Sequence, residues 1–203
     1  MKLYYFPGAC SMAAHIALRE AGLPFDLDKV DLMGSRKTES GADFASINPK
    51  GYVPALQLDN GQVLTEVGVV LQYIADQKPG SGLAPAAGTM ERYRLMEMLN
   101  FITSELHKNF TPLFNPAASA EAKETATANI KKRMAYLNDQ LAGKQYLLGD
   151  TFTVADAYLA TLLGWCQFVK FDISAWPNIG AFAGRVMGRP AVQATMQAEG
   201  LAG

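Results

Sequence analysis

Cys10 has the residue type and the position of a reactive thiol. It follows a strand-like run over 2–6 and a Pro7-Gly8 turn, and it precedes a helix-like run over 11–21 that ends at Gly22. A thiol at a helix N-terminus faces unpaired backbone N–H groups and the positive end of the helix dipole. These features are expected to stabilise the thiolate and lower the pKa of the thiol. The alternative is a small buried side chain, since cysteines outside disulfides are usually core residues.

A second group of polar side chains lies on a helix predicted over 91–113. Four of them recur at helical spacing and are predicted to share one face: Asn100, Ser104, His107 and Lys108. A histidine can exchange a proton near neutral pH, although a lone histidine on a helix is more commonly solvated or locally satisfied. His15 lies further along the Cys10 helix and matches no ligand position, so we assign it a structural role.

Strand and helix patterns alternate through the first 80 residues. The predicted elements are strands at 2–6 and 25–31, a hairpin of 53–58 and 62–64, and helices at 11–21 and 67–77. Asn60-Gly61 is the turn signal of the hairpin. Thr65-Glu66 is the predicted cap of the helix that follows. The order βαβ followed by ββα predicts a thioredoxin-like α/β domain.

The pattern changes at a Pro- and Gly-rich segment over 78–88, after which only helices are predicted. Their ranges are 91–113, 120–141, 154–169, 178–187 and 191–199, the first broken by Pro112 and Pro116. The helix over 154–169 is apolar nearly all round and is expected at the centre of a bundle, with a capping box at Thr153–Asp156. The expected organisation is an α/β domain at 1–80, a linker at 81–88 and an all-α domain at 89–203.

Composition excludes several classes of protein. Of the 203 residues, 49% are hydrophobic and 18% are charged, which predicts a folded globular chain. A net charge of −1 without a long Lys/Arg cluster argues against a nucleic-acid partner. The most apolar stretch is shorter than a membrane span, and the first residues do not form a secretory signal. Two cysteines and two histidines provide neither a disulfide framework nor a metal cluster. We expect a cytoplasmic protein with reduced thiols and no membrane association.

Five segments in a fixed order resemble one family. They are the opening 2–20 with Pro7-Gly8-Ala9-Cys10-Ser11, Asn48–Pro54, Leu64-Thr65-Glu66, 99–108 and Phe152–Tyr158. Together they cover essentially the whole chain and resemble the cytosolic glutathione transferases, specifically the bacterial beta class. The resemblance implies a thioredoxin-like domain followed by a helical bundle. It also implies glutathione as a substrate that is joined to small hydrophobic electrophiles, with no tightly bound cofactor.

The same resemblance implies the site residues. Cys10 and His107 are the implied catalytic residues, and Cys10 is implied to form a mixed disulfide with glutathione. A cis peptide bond before Pro54 is implied to turn the backbone of Val53 toward the ligand. Glu66 and the backbone N–H of Val67 are implied to hold its γ-glutamyl end. The other predicted glutathione-binding residues are Arg36, Asn100, Ser104, Glu105 and Lys108. Apolar character alone predicts the co-substrate pocket: Phe110, Pro112, Leu113, Phe114 and Trp165.

Three features of the sequence leave alternatives open. Related enzymes commonly carry Ser or Asp directly after the glutamate, whereas this chain carries Val67, so the hydroxyl contact is missing. Either Arg36 or Lys37 aligns with the family's lysine in the loop after the second strand, and we prefer Arg36. Tyr5 or Ser11 is an alternative to Cys10, because other classes activate glutathione with a hydroxyl group.

Two functions follow from these residues. The first is a transferase with Cys10-dependent thiol–disulfide exchange or reductive dehalogenation as further activities. The second is a glutathione-binding or interaction protein that keeps the fold with little catalysis. The joint presence of Cys10, Glu66 and His107 favours the enzyme. We further expect a homodimer with a cleft at each domain interface, in which Glu105 reaches toward the neighbouring subunit. Cys166 is expected to be buried on its apolar helix.

Overall fold

Four short strands form a mixed sheet in the N-terminal part of the chain. The computed structural model describes residues 1–202. The strands are β1 (Lys2–Tyr5), β2 (Asp26–Lys29), β3 (Ala55–Gln57) and β4 (Val63–Thr65), in the order β2-β1-β3-β4. β1 pairs in parallel with β2 and antiparallel with β3, and β4 pairs antiparallel with β3. A parallel pair needs a crossover connection, and a helix supplies it here. The predicted βαβ and ββα order is therefore confirmed.

Helices account for most of the remaining structure. They are α1 (Ser11–Glu20), α2 (Phe44–Ile47), α3 (Val67–Asp76), α4 (Met90–Phe101), α5 (Lys108–Phe114), α6 (Ala120–Gln140), α7 (Val154–Phe168), α8 (Pro177–Met187) and α9 (Pro190–Ala198). A π-helical segment, Ile102–His107, connects α4 to α5 without a break. The four-residue α2, capped by the side chain of Asp43, was not predicted because it is too short to show helical periodicity.

The predicted break at Pro112 is wrong. The helix continues through Pro112 to Phe114, and Asn115 then adopts an extended conformation with φ −88° and ψ 110°. Asn115 precedes Pro116, and a residue before proline is driven out of the helical region by the proline ring. Pro116 therefore ends the helix from outside, whereas Pro112 is accommodated within α5.

Contacts divide the described residues into two units, 1–84 with 188–202, and 85–187. The predicted boundaries differ at the C-terminal end, because they placed 188–202 with the helical domain. In the structure α9 packs on α1, and Arg189 at the start of α9 donates two hydrogen bonds to Glu20, at 2.6 and 2.8 Å. Helical periodicity identifies α9 but does not specify which unit receives its apolar face.

Each unit has its own buried interior. A cluster of Tyr4, Val30, Phe44, Val53 and Ala55 fills one side of the sheet in the N-terminal unit. In the second unit α7 is buried from Val154 to Leu163, as its apolar sequence predicts. None of the helices within residues 1–202 combines the length and the apolar character needed to cross a membrane.

Candidate functional site

Cys10 occupies the turn between β1 and α1. It is the N-cap residue of α1, with φ −60° and ψ −17°, and its side chain is partly exposed. Its Sγ–H group donates a hydrogen bond to the backbone carbonyl of Val53 at 3.1 Å. The helix-start position is therefore confirmed, and the alternative of a fully buried thiol is wrong. The thiol faces a backbone carbonyl from a distant loop.

That loop is held in a defined conformation before it reaches β3. The Val53–Pro54 peptide bond is cis, as the resemblance implied. Asn48 donates from its side chain to the carbonyl of Tyr52 at 2.7 Å. Gly51 has φ +75°, a value that favours glycine, and its carbonyl accepts a hydrogen bond from Arg36 at 2.9 Å. These hydrogen bonds hold the two residues that precede Val53, whose carbonyl accepts from Cys10.

Arg36 is exposed, and its guanidinium is hydrogen-bonded to backbone carbonyl groups. Its guanidinium donates to the carbonyl of Leu32 at 3.0 Å as well as to Gly51. Arg36 itself has φ 62°, in the left-handed region that non-glycine residues seldom occupy. Lys37 is exposed. Arg36 thus fastens the loop after β2 to the loop before β3.

Glu66 is the cap residue of α3 and has a strained backbone. Its φ of 68° and ψ of 119° are rare for a residue with a side chain, and such conformations cluster at ligand sites. Within residues 1–202 no side chain caps α3, so the predicted capping role of Thr65 is wrong. Thr65 instead accepts a hydrogen bond from Lys50 at 3.0 Å, and the same ammonium group donates to Glu66 at 2.7 Å.

His107, in the second unit, lies at the end of the π-helical segment. Its Nδ1 is 2.6 Å from the hydroxyl oxygen of Tyr158 on α7, and its ring meets Trp165 edge-on with centroids 4.8 Å apart. Burial lowers the pKa of His107 to about 4, and the positive charge of Lys108 contributes to the same shift. The imidazole is therefore neutral at physiological pH.

The π-helical segment changes the predicted polar face. Asn100, Ser104 and Lys108 are exposed, whereas His107 is partly buried against α7. The prediction that all four share one face assumed 3.6 residues per turn, but hydrogen bonds from i to i+5 lengthen the turns here. The extra length brings His107 against Tyr158. π-helical turns are common at functional sites, which supports a role for this residue.

Aromatic rings surround His107 on α5 and α7. Trp165 meets Phe110 and Phe114 edge-on, with centroid separations of 5.5 and 5.3 Å. Phe110 is fully buried, Phe114 is 47% exposed, and Pro112 and Leu113 are intermediate. Of the predicted pocket residues, Phe110 is therefore part of the core, while Phe114 gives this cluster an accessible apolar edge.

Glu105 is held within its own chain. Its carboxylate accepts hydrogen bonds from Nε and Nη2 of Arg133 on α6, the former at 2.9 Å. Its backbone carbonyl accepts a hydrogen bond from Asn109 at 2.7 Å. The ion pair with Arg133 joins Glu105 to α6. The expected approach of Glu105 to a neighbouring subunit stays a prediction.

Two further predictions concern α7, and both are confirmed. Asp156 accepts hydrogen bonds at 2.8 Å from the backbone N–H groups of Thr153 and Leu147 and from the Thr153 hydroxyl, and burial raises its pKa to about 6. Cys166 is 2% exposed, and burial raises the pKa of its thiol to about 12. Cys166 is therefore inert at neutral pH, unlike a thiol at a helix start.

Two hydroxyl groups were predicted as alternatives to Cys10. That of Ser11 is hydrogen-bonded to the backbone, and Tyr5 is buried. Ser11 Oγ accepts from the N–H of Phe6 at 3.2 Å and donates to the carbonyl of the same residue at 3.3 Å. Burial raises the pKa of Tyr5, and the negative charges of Glu199 and Glu39 raise it further. The Tyr5 hydroxyl therefore keeps its proton at neutral pH. The part of the chain that the structure describes contains no group of three or more metal-ligating side chains.

Comparison with known proteins gives matches over nearly the whole chain. Residues 8–77 match the family described as "Glutathione S-transferase, N-terminal domain", and residues 101–190 match "Glutathione S-transferase, C-terminal domain". Glutathione S-transferase GstA of Escherichia coli O157:H7 is 47% identical over 201 residues, covering 99% of this chain and 100% of the relative.

The chain belongs to the glutathione S-transferases.

Solved structures place it close to one class of this family. A sphingomonad glutathione S-transferase complexed with glutathione is 54% identical, with a TM-score of 0.95 and complete coverage of both chains. The bacterial beta class glutathione S-transferase of Sphingomonas chungbukensis is 53% identical, also with a TM-score of 0.95 and complete coverage. The predicted family, its beta class and the fold are therefore confirmed, and the chain is an enzyme of this family.

The predicted site residues of this glutathione transferase fall into one group in each unit. The N-terminal group is Cys10, Arg36, Val53, Pro54, Glu66 and Val67. The second group is Asn100, Ser104, Glu105, His107, Lys108, Phe110, Pro112, Leu113 and Trp165. The structure brings Cys10 and Val53 into direct contact in the first group, and His107 and Trp165 in the second. Their individual roles stay predictions.

Sequence reasoning missed two contacts of this transferase. Lys50 lies in the Asn48–Pro54 segment that carried the resemblance, but its contact with Glu66 joins residues 16 apart in sequence. Tyr158 closes the Phe152–Tyr158 segment, but its contact with His107 joins residues 51 apart in sequence. No local pattern encodes such a contact.

Proposed function

We propose that this transferase binds glutathione in its N-terminal unit and forms a mixed disulfide with it at Cys10. The hydrogen bond between Cys10 and the Val53 carbonyl is the observation that carries the proposal. An extended tripeptide that pairs with the backbone of Val53 adds to the sheet edge as a strand does. Its central cysteine would then lie next to the Cys10 thiol.

The γ-glutamyl end of glutathione is proposed to bind at the start of α3. Glu66 carries the charge that an α-ammonium group needs, and the first N–H groups of a helix suit a carboxylate. Val67 contributes its backbone N–H but no hydroxyl. The ammonium group of Lys50 donates a hydrogen bond to the Glu66 carboxylate. The α-ammonium group of the ligand would replace Lys50 in this contact. The glycyl carboxylate is proposed to be neutralised by Arg36, with Lys37 as the alternative.

Thiol–disulfide exchange is the first proposed reaction. The Cys10 thiolate attacks one sulfur of oxidised glutathione, the glutathione disulfide bond breaks, and a Cys10–glutathione disulfide forms. One glutathione thiolate leaves and takes up the proton that Cys10 released. A reduced glutathione thiolate then attacks the mixed disulfide, which regenerates Cys10 and releases oxidised glutathione.

With oxidised glutathione the two steps regenerate the starting molecules. With a mixed disulfide of glutathione and a substrate thiol, Cys10 attacks the glutathione sulfur and the substrate thiolate leaves and takes up the proton. Reduced glutathione then releases Cys10 as oxidised glutathione forms, so the substrate is reduced and glutathione is oxidised.

Conjugation is the second proposed reaction, in which the glutathione sulfur attacks an electrophilic carbon and displaces its leaving group. His107 is the proposed second catalytic residue. With the Tyr158 hydroxyl donating to Nδ1, the proton of the neutral ring is on Nε2, which then acts as a hydrogen-bond donor. Phe114, Trp165, Pro112 and Leu113 are proposed to contact the hydrophobic co-substrate. Asn100, Ser104, Glu105 and Lys108 are proposed to assist glutathione binding.

We further propose that the protein acts as a homodimer in the cytoplasm. The exposed apolar side chains of α4, Met90 at 64% and Tyr93 at 55%, support a partner subunit. A reducing compartment suits a thiol that must return to its reduced form after each exchange. Light scattering at micromolar concentration tests the dimer, and a monomer as the sole species would contradict it.

A binding protein with little catalysis is the second candidate function. Val67, where related enzymes commonly carry a hydroxyl or carboxylate side chain, favours it. Retention on glutathione resin, run beside conjugation of 1-chloro-2,4-dinitrobenzene and a panel of mixed disulfides, separates the two. We expect both retention and turnover, with disulfide exchange lost in Cys10→Ala. Retention without turnover of any substrate would support the binding protein.

A further inference from the structure

Asp28 is a buried carboxylate on β2 that the proposed function does not use. It is 4% exposed, although a carboxylate is seldom buried without partners. Its Oδ1 accepts the backbone N–H of Ser40 at 3.2 Å, and its Oδ2 accepts the Ser40 hydroxyl at 2.6 Å. The ammonium group of Lys2 lies further away, with Nζ 3.9 Å from Oδ2. Both hydrogen bonds of Asp28 therefore lead from the sheet into the loop that follows β2.

That loop carries the two basic side chains proposed to neutralise the glycyl carboxylate of glutathione, Arg36 and Lys37. The chain turns back beside β2 directly after them, where the N–H of Glu39 donates to the carbonyl of Lys29 at 2.7 Å. Arg36 lies at the bend, and its φ of 62° is strained for a residue with a side chain. The place of both basic residues therefore depends on how residues 38–42 are held on the sheet.

We propose that Asp28 is a positioning residue for the glycyl end of glutathione, because it holds this loop on the sheet and thereby sets the place of Arg36 and Lys37. The proposal rests on the function proposed for those two side chains. Asp28 acts through the loop and needs no contact with the ligand.

The direction of each hydrogen bond in the loop follows from the carboxylate. Asp28 can only accept, so the Ser40 hydroxyl donates to it. The Thr38 hydroxyl, 2.9 Å from the Ser40 oxygen, must then donate to Ser40. Thr38 Oγ1 in turn accepts the N–H of Ala42 at 3.1 Å, and Thr38 is itself buried. All the donors of this turn therefore point toward one charge, which is the chemical reason for an acid at position 28.

The same loop is also fastened to the segment before β3. Nη2 of Arg36 donates to the carbonyl of Gly51 at 2.9 Å. A Cβ atom at Gly51 would lie 2.8 Å from that nitrogen, so a side chain there would displace the guanidinium. Gly51 lies two residues before Val53, whose carbonyl accepts from Cys10. The loop that Asp28 holds is therefore in contact with the segment proposed to bind the central residue of glutathione.

Asp28→Asn is the decisive substitution because it keeps the shape and removes one acceptor. If the amide oxygen accepts the Ser40 N–H, the amide nitrogen faces the Ser40 hydroxyl, which must then accept. The Ser40 proton turns toward Thr38, and the buried Thr38 hydroxyl loses its acceptor. If the amide is reversed, its nitrogen opposes the Ser40 N–H. One hydrogen bond of the loop is lost in either arrangement.

Lys2→Met is the matched control. It removes the other group that faces the same carboxylate, and the Lys2 side chain is 38% exposed. An ion pair of this length and exposure contributes little. An effect of the charge balance around Asp28 should appear in both variants. Loss of the contact with the loop should appear only in Asp28→Asn.

Two measurements on the full chain test the proposal. The first is amide hydrogen exchange of the peptide over 36–42, which does not depend on any activity. In Asp28→Asn we expect this exchange to be about tenfold faster, the scale of one lost hydrogen bond to a charged group. In Lys2→Met we expect it within about twofold of the unmodified protein.

The second measurement compares KM for glutathione with KM for its glycyl monoethyl ester, in conjugation of 1-chloro-2,4-dinitrobenzene. The ester lacks the negative charge that Arg36 or Lys37 would neutralise. In Asp28→Asn we expect KM for glutathione to rise about fivefold to tenfold with kcat nearly unchanged. KM for the ester should change by less than about twofold, because the ester does not use the contact that Asp28 positions. A merely structural role would raise both KM values alike.

Each outcome decides between defined alternatives. Unchanged exchange over 36–42 in Asp28→Asn overturns the proposal, as does an equal rise of KM for acid and ester or an equal effect in Lys2→Met. If the unmodified protein has the same KM for acid and ester, the function proposed for Arg36 and Lys37 fails, whereas the exchange measurement still reports on Asp28.

A second variant covers the case in which Asp28→Asn does not fold. Ser40→Ala then takes its place, since Ser40 is exposed and the change removes only the hydroxyl that donates to Asp28. We expect exchange over 36–42 about threefold faster and KM for glutathione about threefold higher. No change in either quantity overturns the proposal.

Discussion

Cys10 lies at a partly exposed helix start among backbone carbonyl and N–H groups, whereas His107 lies among aromatic rings. Charged side chains such as Lys50 and Glu66 remain in water near the sheet edge, with more than half of each exposed. In the second unit, burial keeps His107 uncharged. The difference matches the proposal that the N-terminal unit binds the polar, charged glutathione and that the aromatic surface near His107 binds the hydrophobic co-substrate.

The largest expected effect comes from removing the thiol. Cys10→Ala should abolish the mixed disulfide and lower thiol–disulfide exchange by at least about a hundredfold, because the nucleophile is gone. Incubation of the unmodified protein with oxidised glutathione should add one group of about 305 Da, reversible by dithiothreitol. Part of the conjugation rate should survive in the variant, since orientation of bound glutathione does not require Cys10.

Cys166 provides the control for this experiment. Its thiol is buried and its pKa is raised to about 12, so Cys166→Ala should leave the adduct and the exchange rate unchanged. Peptide mapping after covalent mass measurement locates the adduct. An adduct on Cys166, or full exchange activity in Cys10→Ala, would show that the assignment of the reactive thiol is wrong.

The next largest effect is expected at His107. His107→Asn should lower kcat/KM for conjugation by roughly tenfold to a hundredfold, the scale of one lost catalytic hydrogen bond. Because its pKa is about 4, His107 stays neutral across pH 5–8, and no activity change should follow the ordinary histidine pKa near 6.5. A pH profile of the unmodified protein with a limb near 6.5 that disappears in His107→Asn would contradict the neutral assignment.

The same pKa has a consequence for stability. The folded-state pKa of His107 lies below the unfolded value, so its contribution to stability is present above about pH 6.5 and is lost as pH falls through about 4. Asp156, with its pKa raised to about 6, acts in the opposite direction over nearly the same interval. Urea unfolding of His107→Asn and Asp156→Asn between pH 4 and 7 separates the two. His107→Asn should reduce the loss of stability on acidification, and Asp156→Asn should increase it.

A smaller effect is expected where the ligand competes with Lys50. Glu66→Gln should raise KM for glutathione by about tenfold with little change in kcat, since it removes one charge-assisted contact. Lys50→Met frees the Glu66 carboxylate and should lower KM, by no more than about fivefold because the pair is exposed. An increase of KM in Lys50→Met would show that Lys50 itself binds the ligand.

The smallest effect is expected at the position that departs from related enzymes. Val67→Ser adds a hydroxyl at the start of α3 and should lower KM for glutathione by about twofold to tenfold, the range of one neutral hydrogen bond. Val67→Ala is the control, since it removes the same packing without adding a donor. Equal KM values in the two variants would show that the hydroxyl has no role in this chain.

The predicted features are those that local sequence encodes. Alternating and helical patterns locate the strands and α1, and a Pro-Gly turn before a helix locates Cys10. The pattern over 91–113 identifies a helix but not its π-helical segment, because the prediction assumed 3.6 residues per turn throughout. Long-range pairs such as Glu199 with Gly8 could not be predicted, since no local signal specifies a partner 191 residues away.

The order of translation determines when α9 can pack on the N-terminal unit. Residues 1–84 emerge first, yet the unit they form also contains 188–202, which emerge only after the whole of 85–187. Domains that are continuous in sequence can complete their folding while translation proceeds. Here the turn that carries Cys10 stays without its Glu199 anchor until the second unit has been synthesised. The hydrogen bond from Gly8 to Glu199 can therefore form only after nearly all of the residues have been added, although Cys10 is among the first.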